Sequence, residues 1–137
     1  MIPASAARTF EILSTGEGQR EWFQDFVAVR WTSSPPHGVG ATREIELKMM
    51  SVKERFLVWE PGRRLTFAID AITVPLVQGM VEDMQLEPLS DCSTRLRWHV
   101  YYNPSWIMRA AHPVGRNVFA RMFRVSIDGL AKYASRI

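Results

Sequence analysis

Arg43, Glu54 and Glu82 are the residues of this chain best placed for reactive or binding roles, because each falls among apolar partners in an alternating segment. Arg43 shares its face with Ile45, Leu47 and Met49. Glu54 shares a face with Phe56 and Val58, and Glu82 with Met80 and Met84. Period-two alternation puts each set on one side of a strand. A charge on an apolar face is costly unless it is paired or solvated. Three uses are open to these residues: they pair internally and fix strand register, they orient a polar group on a ligand, or a carboxylate among them moves protons. Tyr102 ends a further segment whose inward set is Leu96, Trp98, Val100 and Tyr102. Glu54, Glu82 and Tyr102 are therefore the candidates for acid–base work. A slip of one residue would turn any of these sets outward.

The strands and helices that would hold these side chains are read from the same patterns. Ser5 to Leu13 is predicted to form a short helix, and Gln19 to Gln24 a second helical turn that presents Trp22 and Phe23. Phe26 to Trp31 is rich in β-formers and precedes the Ser33-Ser34-Pro35-Pro36-His37-Gly38 turn. Strands are predicted over Ala41 to Met49, Val52 to Trp59, Arg64 to Thr73, Met80 to Pro88 and Thr94 to Tyr102. In the Arg64 to Thr73 strand, Leu65, Phe67, Ile69 and Ala71 share the inward side. Pro75 marks a bend in the sheet. Short turns between such strands imply an antiparallel meander. A long amphipathic helix over Gly115 to Ser135 carries the stripe Phe119, Met122, Phe123, Ile127 and Leu130. Trp106, Ile107 and Met108 lie between two breaks, as a lid or as an ordinary connector with an apolar anchor.

At 137 residues the chain is expected to be one domain, 1–137, with a core that needs no disulfide. Cys92 is the single cysteine, which fits a reducing cytoplasm. No run of about 18 apolar residues calls for a membrane span, and the N-terminus does not read as a signal peptide. The formal charge is +3, but the basic residues are scattered and Arg63-Arg64 is only a pair, so nucleic acid is not an expected partner. His37, His99 and His112 lack metal-ligand spacing. No phosphate-cradling, dinucleotide or serine-hydrolase motif occurs, so neither metal nor cofactor is expected.

The order of motifs resembles the polyketide cyclase/dehydrase and lipid-transport family, within the START-related, birch-pollen-allergen-like (SRPBCC) superfamily. The likeness rests on the Ala-rich opening at Ala4 to Leu13, Gly38 to Arg43, the Glu54-Arg55 pair, Trp59-Glu60-Pro61-Gly62-Arg63-Arg64-Leu65, Thr94 to Trp98, and the closing helix. It covers nearly the whole chain. Two features depart from the pattern. Only Met1-Ile2 stands where members carry a full first strand, and Ser90-Asp91-Cys92-Ser93 replaces a glycine-bearing turn. A missing strand leaves a sheet edge that could pair with a second copy, so a homodimer through that edge is possible.

The resemblance implies an α+β helix-grip fold: a strongly curved antiparallel sheet around the long C-terminal helix, with a cavity between them. The expected ligand is a small hydrophobic or amphipathic molecule, such as a lipid, polyketide or aromatic metabolite. The expected wall is Arg43, Ile45 and Leu47; Glu54, Phe56 and Val58; Phe67 and Ile69; Met80, Glu82 and Met84; and Trp98, Val100 and Tyr102. The roof is Phe119, Met122 and Phe123. The alternative is a cyclase or dehydratase that uses an interior carboxylate or Tyr102.

Overall fold

A computed structural model describes residues 1–74, 77–104 and 112–136. The predicted bend at Pro75 and the segment bearing Trp106, Ile107 and Met108 lie outside the described residues. Helix α1 spans Ala6–Thr15. Ser5 caps its start by accepting a hydrogen bond from the Arg8 amide at 3.1 Å, and Gly16, at φ 75°, ends it in the left-handed conformation. Helix α2 is short, Gln19–Trp22. Six strands come next: β1 Phe26–Trp31, β2 Thr42–Leu47, β3 Ser51–Glu60, β4 Arg64–Ile72, β5 Val77–Ser90 and β6 Ser93–Pro104. Helix α3, His112–Ser135, closes the chain. It begins at His112 rather than Gly115, with Pro113 in its first turn, where a missing N–H does no harm.

The strands pair antiparallel in sequence order, β1-β2-β3-β4-β5-β6. This is the expected meander and the expected α+β helix-grip class. The inward set of β6 is the clearest case: Leu96, Trp98, Val100 and Tyr102 are part-buried while Arg95, Arg97, His99 and Tyr101 are exposed. The N-terminal residues supply one bridge to β6. Ile2 and Thr94 exchange both backbone hydrogen bonds, at 2.7 and 2.9 Å, and Ile2 is fully buried. The Ser90 to Ser93 turn forms without glycine, its hydroxyls bonded at 2.9 Å.

Two bulges interrupt the β3–β4 ladder and correct two expectations. Partners run Phe56↔Phe67 then Val58↔Thr66, so Leu57 is an extra residue on β3. They also run Lys53↔Ala71 then Glu54↔Ile69, so Asp70 is extra on β4. Each insertion swaps the inner and outer sides of the strand beyond it. Trp59, paired with Leu65, thus continues the inward face, and Val58 does not. Trp59 meets Phe56 and Phe10 edge-on, at 5.0 and 5.8 Å between centroids. On β4, Ala71 is exposed and Ile72 turns in. Met49 also departs from expectation: β2 ends at Leu47, and Met49, in the hairpin, is 80% exposed.

Helix α3 is fastened to the protein mainly through α2. Gly129 lies against the Trp22 backbone, where a Cβ would collide with the Trp22 carbonyl oxygen. Gly18, at φ 60°, takes the ring of Tyr133 in the same way. The Gln24 amide donates to Ser126 Oγ at 3.1 Å, and Tyr133 Oη donates to Glu17 Oε1 at 2.9 Å. Leu130 and Ala134 are buried beneath this contact.

Candidate functional site

Between the concave face of the sheet and the first half of α3 lies an apolar cavity. Its sheet wall is Arg43, Ile45 and Leu47 of β2, Val52 and Glu54 of β3, Phe67, Ile69 and Ile72 of β4, Met80, Glu82 and Met84 of β5, and Trp98 of β6. Phe119, Met122 and Phe123 roof it, and Leu13, Gln19, Trp22, Phe23 and Met50 close the ends. The cavity volume is about 50 Å³. A water needs roughly 10–15 Å³ of such space, so the chamber as it stands has room for small molecules of that order. It is narrower than the roughly 300–1,000 Å³ typical of ligand pockets. The reason is visible at the roof, where Phe123 meets Trp98 at 5.5 Å and Phe23 at 6.4 Å.

Two wider clefts flank the roof. One, about 470 Å³, lies between the β2–β3 hairpin and α3 and shares Leu47, Met50 and Met122 with the cavity. The other, about 250 Å³, lies between β6 and α3 and shares Trp98, Phe119 and Phe123. Leu47, Met50 and Met122 on one side and Trp98, Phe119 and Phe123 on the other are therefore common to the cavity and a flanking cleft. Methionine, unbranched and with three rotatable bonds, suits such a shared wall.

The polar groups gather among these apolar walls. Arg43 Nε donates to Glu54 Oε2 at 2.6 Å, and the two side chains are 3% and 6% exposed. The Arg43 guanidinium also lies over the rings of Phe56, Trp31 and Phe67, at 4.9, 5.4 and 5.8 Å, and makes a long contact with the Ser14 carbonyl at 3.5 Å. Of the expected uses, internal pairing is thus realised for Arg43 and Glu54. Glu82 is different. Trp98 Nε1 donates to its Oε1 at 3.0 Å, and among the described residues no cation forms an ion pair with it. Burial pushes its carboxyl up to about 8, and the Glu54 charge adds to the rise against the pull of Trp98 and Arg43. At neutral pH Glu82 therefore holds its proton. A carboxyl with its pKa near the operating pH can hold or pass a proton on a bound molecule.

The structure brings Arg43, Ile45, Leu47, Glu54, Phe67, Ile69, Met80, Glu82, Met84, Trp98, Phe119, Met122 and Phe123 to one cavity. Phe56 is buried behind Arg43 and stacks on Trp31 instead of lining the space. Val58 is carried off the inward face by the Leu57 bulge. Val100 and Tyr102 keep their inward side but lie beyond the cavity, in the β6–α3 cleft, where Tyr102 faces Phe119 at 5.9 Å. Sequence reasoning missed Leu13, Gln19, Trp22, Phe23, Met50, Val52 and Ile72 as wall residues. Gln19 sits on a helix too short to show periodicity, and Met50 in a hairpin; the inward turn of Ile72 comes from the Asp70 bulge. On the convex face, Asp83 is buried without facing the cavity. Burial alone would raise its pKa, but hydrogen bonds from Arg64, Thr66 and Gln85 outweigh this and hold it at about 2. Among the described residues, no three His, Cys, Asp or Glu side chains converge as metal ligands would, and no helix is long and apolar enough to cross a membrane.

A protein family described as polyketide cyclase/dehydrase and lipid transport matches residues 1–135. An uncharacterised protein of Mycobacterium tuberculosis is 28% identical over 125 residues, covering 90% of this chain and 74% of its own length. Among solved structures, a START superfamily protein from Mycobacterium smegmatis superposes with a TM-score of 0.82 at 11% identity, over 98% of this chain and 92% of that one. An aromatase/cyclase from a Streptomyces species gives 0.81 at 15% identity, over 98% and 89%. At these identities the structural likeness establishes the fold.

Proposed function

The chain belongs to the polyketide cyclase/dehydrase and lipid-transport family, and from that premise we propose that it binds a small hydrophobic or amphipathic molecule in the sheet–helix cavity. The observation that carries the reading is an apolar chamber with buried polar groups in its wall, whose roof side chains are shared with two flanking clefts. Binding would draw on apolar desolvation, with Arg43, Glu54 and Glu82 setting orientation. The ligand would be larger than the present chamber, so Met122 and Phe123 must swing aside for it. Lipids, polyketides and aromatic metabolites all fit this description.

The test is uptake of Nile red, a neutral apolar dye, together with native mass spectrometry of freshly purified protein. Saturable one-to-one binding is expected, weakened when Met122→Trp fills the roof. Fluorescence that never saturates, with no competition by naphthalene, would sink the reading.

A second reading is favoured by one observation, the near-neutral carboxyl of Glu82 in the cavity wall. In it the protein is a cyclase or dehydratase and Glu82 exchanges the proton. Glu82→Gln should then abolish turnover while leaving Nile red binding within about threefold. Tyr102 lies outside the cavity, and Glu54 is engaged by Arg43, so neither is the first choice for this role.

A further inference from the structure

Gln19 belongs to the cavity wall but plays no part in the Arg43–Glu54 and Glu82–Trp98 contacts. It is 8% exposed, and its Oε1 is buried with no hydrogen-bond partner among the described residues. An unmet buried acceptor is destabilising, and a donor on a bound molecule would recover that loss. The amide does not stand alone. A Cβ placed on Gly16 would lie 3.2 Å from Gln19 Oε1, 3.5 Å from Val29 Cγ1 and 3.9 Å from Arg43 Nη1, so the unpartnered acceptor and the buried cation both lie close to the end of α1.

The backbone around Gln19 is held in place. Trp22 Nε1 donates to the Glu17 carbonyl at 3.0 Å. Glu17 is clamped by Arg8 at 2.5 Å and by Tyr133 at 2.9 Å, and the Gln24 amide is tied to Ser126. Gln19 thus sits on a braced turn, the arrangement that favours selective recognition over accommodation.

We propose that Gln19 is a specificity-determining residue, which selects ligands bearing a neutral hydroxyl that donates to its Oε1. This deepens the cavity reading and rests on it. The electrostatics point the same way: Arg43 is already paired with Glu54, so a ligand carboxylate would enter an apolar space whose wall cation is spoken for. A neutral hydroxyl supplies the missing donor and brings no charge.

The experiment is displacement of Nile red at neutral pH by naphthalene, naphthol and naphthoate, which share one ring system. The wild-type protein should bind naphthol about tenfold tighter than naphthalene, one hydrogen bond's worth, and naphthoate more weakly than either. In Gln19→Met, which keeps the length of the side chain and removes the acceptor, naphthol should lose its advantage while naphthalene stays within about twofold. A measurement without substitution stands beside it: the Gln19 side-chain amide signals in nuclear magnetic resonance should shift with naphthol and not with naphthalene. Equal affinity of naphthol and naphthalene, or an advantage that survives in Gln19→Met, overturns the role of Gln19 and leaves the cavity standing. Failure of every probe to displace the dye overturns both.

Discussion

The two halves of the C-terminal helix are held by different physics. Its trailing half is latched by directional contacts. Ser126 accepts from the Gln24 amide and donates to the Met122 carbonyl, at 3.1 and 2.7 Å. Gly129 fits against the Trp22 carbonyl, Leu130 is fully buried, and Tyr133 bonds Glu17. Among its described residues, the leading half rests on rings and methionine. Phe119, Met122 and Phe123 are only part-buried, Val118 is exposed, and a cleft opens on either side. Hydrogen bonds and close backbone approach fix one geometry, whereas apolar contact is non-directional and tolerates sliding. One helix can therefore be a rigid anchor at one end and a yielding roof at the other.

Truncations of similar chemistry in the two halves give the strongest contrast. Leu130→Ala should cost about 3 kcal/mol in urea unfolding, since a fully buried leucine leaves a cavity. Phe123→Ala, although it removes more atoms, should cost only about 1–2 kcal/mol and should tighten Nile red binding, because its ring partly faces open space. If the two cost the same and dye affinity is unmoved, the halves are not distinct. Gly129→Ala probes the latch directly. Alanine gains about 1 kcal/mol in helix propensity, yet its Cβ must displace the Trp22 backbone, so a net loss of about 2 kcal/mol is expected. A melting temperature equal to or above wild type would show that the latch yields.

Acidity probes the space beneath the roof. The folded protein keeps the Glu82 proton up to about pH 8, and the unfolded chain releases it near the ordinary value of 4.5. The folded state therefore binds the extra proton between these limits. Its stabilising effect is complete below pH 4.5, declines by about 1.4 kcal/mol per unit as pH rises through the window, and is gone above about 8. Subtracting the unfolding profile of Glu82→Gln from that of wild type should isolate this slope; a flat difference would mean that Glu82 is ionised in the fold. The smallest effect belongs to Tyr133→Phe, which removes one hydrogen bond from the latch and should cost about 1 kcal/mol with dye binding unchanged.

Alternation made the walls of the site legible. Arg43, Glu54, Glu82 and Trp98 could be assigned inward because each strand repeats a pattern with one inner and one outer side. Alternation gives the side and not the depth. Tyr102 shares a face with Trp98, yet the cavity ends before it. Alternation also fails wherever a residue is inserted, as Val58 and Ala71 show, because Leu57 and Asp70 leave no mark in a two-residue rhythm. Gln19 was invisible for another reason: its importance comes from an unmet acceptor, and partnership is a property of three-dimensional neighbours. The pairing of Glu54 with Arg43 in preference to Glu82 likewise comes from adjacency, since β2 and β3 are neighbours and Arg43 stands opposite Glu54.

The two inserted residues have one more effect. Leu57 and Asp70 both lie on the outer side of the sheet, where they are exposed. An extra unit on one rim of a ribbon makes that rim longer than the other, and the ribbon must arc toward its shorter side. Neighbouring strands each carry one such unit, so the arc is shared and the sheet curls without tearing its ladder. The depth of the hollow is thus set in part by a leucine and an aspartate that never touch what it holds.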